Sequence, residues 1–160
     1  MAIKYLYFLP YVVDKMLELY NGSLDVPTIL QRWYKEEEKS NYGAFIPFVG
    51  TIRDEDNIDG LSFDVYEPIL ESWYKAWVEK AKAKGAIIKM AHSRGDVMLH
   101  ESSYIAAVFS PKRRVALEFI DEFVEDFKAS APIWKYDLKN GERIYAEDRS
   151  TAIKGSGLLS

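Results

Sequence analysis

The chain contains no cysteine and only two histidines among its 160 residues. Without a thiol there is no disulfide scaffold, no thiolate zinc site, no iron–sulfur ligand set and no cysteine nucleophile. Two histidines leave little material for a histidine metal site, so neither a metal nor a cofactor is expected. No unbroken apolar run approaches the ~18 residues of a membrane-spanning helix. An excess of positive charge is missing too: 21 basic against 25 acidic side chains leave a net charge of −4. Any nucleic-acid or anion site must then be a local patch. What is abundant is apolar: 48% of the residues are hydrophobic. By surface scaling, a chain of this mass buries about 18,000 Å² on folding, enough for one sizeable core.

Residues 1–22 read as an aromatic leader ending at the turn signal Asn21-Gly22. Lys4 before Tyr5 to Val13 has the outline of a signal peptide. It lacks a small-residue cleavage site and is rich in tyrosine, so a strand or docking segment is the reading and a cytoplasmic protein the expectation. Ser23 or Asp25 can cap a helix with Pro27 in its first turn, running to about Lys39. Gly43 to Arg53 reads as a strand that Pro47 confines to an edge or a bulge. Residues 54–60 form an acidic loop without the glycine and closing glutamate of a calcium hand. Leu61 to Tyr66 is a strand, and Pro68 opens a helix to about Lys84 that Gly85 stops. Ala86 to His92 and Ser102 to Phe109 are strands, the second apolar on both faces and so central.

Pro111 to Ala129 is the clearest helix, with a buried stripe of Ala116, Phe119, Ile120, Phe123 and Phe127. Ile133 to Leu138 and Arg143 to Glu147 flank the hairpin signal Asn140-Gly141. The tail, residues 148–160, reads as loose. Helices and strands mix without strict alternation, which predicts an α+β fold.

Ser110-Pro111-Lys112-Arg113-Arg114 carries the clearest chemical signal. Ser110 reads as the N-cap and Pro111 as the first helical residue, so three cations crowd the positive end of the helix dipole. Either an exposed surface tolerates them or they hold an anion there. Lys128 closes that helix, and Lys135 follows Pro132-Ile133-Trp134 on the next strand. A strand folding back from the helix end can bring both amines together. Lysines near other cations, or partly desolvated, become bases or nucleophiles near neutral pH. The plainer alternative is two lysines whose stems lie on aromatic surface. Arg53 at a strand end beside Gly50 suits bidentate anion binding, or a pairing with the adjacent acidic loop. His92 near Arg94-Gly95 has no second histidine at ligand spacing, which favours a hydrogen-bonded structural role.

Together these segments resemble the large, catalytic subunit of molybdopterin synthase, the MoaE family. The matching pieces are Phe48-Val49-Gly50-Thr51-Ile52-Arg53, Tyr66-Glu67, His92 with Gly95, and the run from Ser110 through Lys135. The resemblance covers roughly Ser23 to Glu147, which divides the chain into a leader (1–22), a catalytic-subunit-like domain (23–147) and a tail (148–160). It implies an α/β hammerhead-type fold with an added antiparallel β subdomain. It implies a homodimer within a heterotetramer, and no membrane or nucleic-acid partner. A small ubiquitin-like carrier would insert its C-terminal Gly-Gly thiocarboxylate, and two sulfurs would pass to cyclic pyranopterin monophosphate to make the dithiolene of molybdopterin.

By the same resemblance Lys128 and Lys135 are the catalytic lysines, and Arg53, Lys112, Arg113 and His92 bind the substrate. Lys112 departs from the family, which usually has histidine there. Charge is kept, but titration near neutral pH is lost. Arg94 stands one residue beyond the usual arginine, and Asp137 stands where glutamate is common. Two competing readings remain at this level. One is a non-catalytic module that binds a ubiquitin-like protein, a nucleotide or a pterin phosphate. The other is a single-strand RNA binder, disfavoured by the acidic net charge and the lack of an aromatic RNA-binding strand motif.

Overall fold

The computed structural model describes residues 11–14 and 16–146. Among them the elements run β1 (Tyr11–Asp14), β2 (Leu17–Asn21), α1 (Val26–Glu36), β3 (Ala44–Thr51), β4 (Gly60–Val65), α2 (Glu67–Ala83), β5 (Ile87–Met98), β6 (Ser102–Ser110), α3 (Arg113–Ser130), β7 (Ile133–Lys139) and β8 (Glu142–Tyr145). The long strand β5 belongs to two sheets. Its first half pairs antiparallel with β6 and parallel with β2; Gly95–Met98 pair antiparallel with β4. The main sheet therefore runs β1-β2-β5-β6-β3, and the smaller one runs β5-β4-β7-β8. The expected α+β fold with an added antiparallel sheet is what the chain forms.

Strand β6 is buried at all nine of its positions because helices cover both faces of the main sheet. Tyr104, Ala106 and Val108 pack with Leu17, Leu19 and Met90 against α2 and α3. Ile105, Ala107 and Phe109 pack with Ala91 against Ile29 and Trp33 of α1. The sheet junction has its own cluster of Ile52, Ile58, Phe63, Val97 and Ile133. Buried charge fastens α1 to the sheet. Glu18 accepts from Arg32 at 2.6 Å and from the Trp33 indole at 3.2 Å. Buried Lys89 meets Glu36 at 2.6 Å and Glu37 at 3.0 Å.

Local signals account for most boundaries. Asp25 caps α1 by accepting from the Thr28 amide, and Gly85 ends α2 with a φ of +68°. Pro47 lies on β3, which pairs only with β6 and is an edge among the described residues. Asn140 and Gly141 both have positive φ, as a two-residue hairpin turn requires.

Four expectations need correcting. Leu17–Asn21, grouped by sequence with the leader, is a strand whose Leu17 and Leu19 are fully buried. Strand β5 does not stop at His92 but continues to Met98 past Gly95, whose φ of +73° accommodates the change of sheet. Ser110 is not the cap of α3: it closes β6 opposite Ala44, and its hydroxyl accepts from the Lys112 amide at 3.2 Å. Helix α3 begins at Arg113, with Lys112 as its N-cap and no side-chain cap bond. α1 ends at Glu36, three residues before Lys39. The tail 148–160 and the first ten residues lie outside the described residues. No helix among the described residues is long and apolar enough to cross a membrane.

Candidate active site

The last turn of α3 carries Lys128. The amide of Ala131 still bonds to the Phe127 carbonyl at 3.0 Å, and Pro132 then turns the chain into β7, which carries Lys135. This tight helix-to-strand return places two lysines seven residues apart on one cavity of about 360 Å³. Its wall is completed by His92 from β5, Tyr104 from β6, Phe48 from β3, and Val124, Glu125 and Phe127 from α3. Lys128 is exposed and Lys135 half-buried, so the amines stand where the cavity meets solvent.

The inner wall is aromatic. Tyr104 and Phe127 stack with ring centres 4.2 Å apart and planes 10° apart. His92 packs against Phe63, Tyr104 and Phe127 at 5.1, 5.8 and 5.4 Å. Gly50, cross-strand from Tyr104, leaves room for that ring: a Cβ there would lie 3.2 Å from the Tyr104 Cβ. The small residue in the Phe48-Val49-Gly50 run thus seats the aromatic wall.

His92 is 2% exposed. Its Nδ1 lies 2.7 Å from the Ser93 carbonyl oxygen, which can only accept, so Nδ1 carries the hydrogen and Nε2 is left as an acceptor. Burial lowers its pKa to about 4; the Ser93 hydrogen bond opposes that, and the charge of Lys135 adds to it. The ring is neutral at pH 7. Tyr104 is 6% exposed, and burial alone pushes its phenol well above the usual range. Its hydroxyl is buried and has no hydrogen-bond partner among the described residues.

Of the six residues singled out from the sequence, the structure brings together Lys128, Lys135 and His92. Arg53 lies elsewhere, 79% exposed in its side chain and paired with Glu55 at 2.8 Å. Lys112 and Arg113 sit exposed at the start of α3, and fifteen residues of helix put Arg113 about 22 Å from Lys128 along the axis. Within one chain they do not reach the same cavity. Arg94, displaced by one position from the family pattern, pairs with Glu67 at the start of α2. Among the described residues no cluster of three or more His, Cys, Asp or Glu could hold a metal ion.

Sequence reasoning missed Phe48, Tyr104, Val124 and Glu125. Val124 and Glu125 had a usable signal, since they stand four and three residues before Lys128 on one helix face. Tyr104 had none, because a tyrosine inside an apolar strand reads only as core.

Comparison with known proteins gives this constellation a context. A family model described as MoaE protein matches residues 21–130. The chain is 50% identical to the molybdopterin synthase catalytic subunit of Helicobacter pylori over 145 residues, covering 91% of this chain and 100% of that one. The Bacillus subtilis protein of the same name is 30% identical over 77% of this chain and 82% of its own. Among solved structures, the complex of subunits 1 and 2 of molybdopterin-converting factor from Helicobacter pylori superposes with a TM-score of 0.84 at 49% identity, covering 91% and 99% of the two chains. Molybdopterin synthase from Staphylococcus aureus shares the fold, with a TM-score of 0.71 at 20% identity over 82% and 97%.

Proposed function

The chain belongs to the MoaE protein family, and on that premise we propose that the cavity between Lys128 and Lys135 is where sulfur is transferred. The protein is an enzyme of molybdenum cofactor biosynthesis, a sulfurtransferase by class. Its partner is the small subunit that accompanies its relative in the solved complex. That partner would bring the sulfur as a C-terminal Gly-Gly thiocarboxylate. The acceptor is cyclic pyranopterin monophosphate, and the work is done in the cytoplasm. The observation that carries the reading is the shared cavity: two lysines and a neutral histidine around one opening, backed by aromatic rings.

Glycine has no side chain, so a Gly-Gly tail needs little width to pass the stacked Tyr104 and Phe127. Lys128 acts as base or nucleophile around the acyl carbonyl, and Lys135 offsets the negative charge that develops on it. His92, uncharged, offers Nε2 as an acceptor to the bound substrate. Arg53, Lys112 and Arg113 hold the anionic pterin. Because the start of α3 is about 22 Å from Lys128 in the same chain, these cations serve the cavity of the second subunit in a homodimer. Phe48, on the face of β3 that carries α3, and Leu117 on α3 itself are exposed apolar side chains, in keeping with such a contact.

The deciding experiment mixes the protein with thiocarboxylated carrier and cyclic pyranopterin monophosphate and measures dithiolene product. Lys128→Ala should lower turnover by at least about a hundredfold while circular dichroism stays unchanged. Near-normal turnover would overturn the assignment.

A further inference from the structure

Both reactants assigned to the cavity are anions, yet its wall carries an acid. Glu125 of α3 lines the cavity beside Val124 and Lys128. Residues three apart are neighbours on a helix surface, so its carboxylate and the Lys128 amine border the same opening. The side chain is exposed, so a ligand in the cavity can reach it. It is the one acid among the described residues that line this cavity. The helix gives no reason for it, because an acid near the C-terminal end of α3 has the unfavourable sign for the dipole. We propose that Glu125 reads the pterin ring: its carboxylate accepts two hydrogen bonds, one from the ring's amino group and one from the adjacent ring N–H. This inference rests on the cavity being the sulfur-transfer site.

The substrate has two unlike ends. Its cyclic phosphate carries the charge and accepts hydrogen bonds. Its other end is an amino-oxopyrimidine, whose amino group and neighbouring N–H point two donors the same way. A carboxylate is acceptor-only and presents two oxygens side by side, so it matches that edge as a bidentate pair. The other polar side chains of the wall cannot. Lys128 and Lys135 only donate, the Tyr104 hydroxyl is buried, and His92 has a single acceptor atom in Nε2. Glu125 also sets the direction of binding. It repels the phosphate, which turns toward the cations, and it draws the donor edge of the ring to the end of α3. A ring with a carbonyl in place of the amino group would meet the carboxylate acceptor to acceptor, so the site rejects it.

Glu125→Gln keeps the length of the side chain and replaces one acceptor oxygen by a donor. Full-length protein carrying this change should be assayed with thiocarboxylated carrier and cyclic pyranopterin monophosphate, beside the unaltered chain and Lys128→Ala. KM for the cyclic substrate should rise about ten- to a hundredfold, with kcat within twofold and KM for the carrier unchanged. A second readout uses two simple rings as competitive inhibitors: pterin, and lumazine, which has a carbonyl where pterin has the amino group. The unaltered chain should prefer pterin by about tenfold or more. Glu125→Gln should erase that preference, because its amide can donate to the carbonyl. The melting temperature should hold within about 2 °C, since the side chain is exposed. An unchanged KM for the cyclic substrate overturns the proposal. So does failure of pterin to inhibit, or an unchanged preference between the rings. A fall in kcat at constant KM overturns it in favour of proton transfer, and a rise in KM for the carrier alone in favour of a contact with the tail. Near-normal turnover by Lys128→Ala overturns the reading of the cavity, and this inference with it. An inactive Lys128→Ala beside an unaffected Glu125→Gln removes this inference alone.

Discussion

His92 shows how far burial alone can set the chemistry of one residue. The ring is shut between Phe63, Tyr104 and Phe127, and its pKa falls from 6.5 to about 4. The folded value is the lower one, so the unfolded chain takes up the proton first as pH falls. The stability gained by keeping the ring neutral is whole above pH 6.5 and is lost on the way down to about 4. At full size the loss is about 3 kcal/mol. In denaturant titrations across this window, His92→Leu should show a shallower decline than the unaltered chain; parallel curves would refute the assignment. Gly50 acts on the same wall through space. Gly50→Ala puts a methyl 3.2 Å from the Tyr104 Cβ, so the ring must shift by a few tenths of an ångström. Turnover should fall severalfold with KM for the carrier raised, while far-ultraviolet circular dichroism is unchanged.

At the scale of elements, α3 has charges of the unfavourable sign at both ends, and the structure accounts for one of them. Near the C-terminus, Asp126 accepts from the indoles of Trp73 and Trp77 at 2.9 and 2.7 Å and from the Ser130 hydroxyl at 2.8 Å. Burial pushes its carboxyl up, but those donors outweigh burial and hold it below the usual range. The acid is there to satisfy two tryptophans at the α2–α3 contact, and the dipole penalty of tenths of a kcal/mol is small beside that. Asp126→Ala should cost about 2 kcal/mol in chemical denaturation, and Asp126→Asn distinctly less because its amide oxygen still accepts.

The elements were largely legible in the sequence. Caps, glycine stops, the Asn140-Gly141 turn and the periodicity of Phe119 and Phe123 are local and physical. The misplaced start of α3 shows the limit. Ser110 is a good local N-cap, but pairing with Ala44 across the sheet gives its backbone a better use. Strand β5 was cut short at His92 because its second half alternates weakly and passes through a glycine.

Across the whole molecule, the site divides into a legible and an illegible part. Lys128 and Lys135 lie on one helix-strand return, so their meeting could be anticipated. Phe48, His92 and Tyr104 reach the cavity through β3, β5 and β6, and such pairings depend on register that no local pattern states. The separation of Arg113 from Lys128 by the length of α3, in contrast, was already legible in the helix predicted over Pro111 to Ala129. It yields a direct test of the homodimer reading. Lys128→Ala and Arg113→Ala should each be inactive alone. When they are unfolded, mixed and refolded together, hybrid dimers hold one intact site, and dithiolene formation should return. No recovery would show that both residues serve the cavity of their own chain.

The shared strand β5 also bears on how the protein comes into being. Strand β4 is held between β5 and β7, so the smaller sheet cannot close until residues 133–139 are available. During synthesis the ribosome releases the aromatic strands β3 and β4 long before their partners β6 and β7. Such non-local pairing is slow and leaves edges open to aggregation. The nascent chain therefore carries unpaired strand edges through much of its translation, and the two cavity lysines, Lys128 and Lys135, are among the last parts of the fold to be set in place.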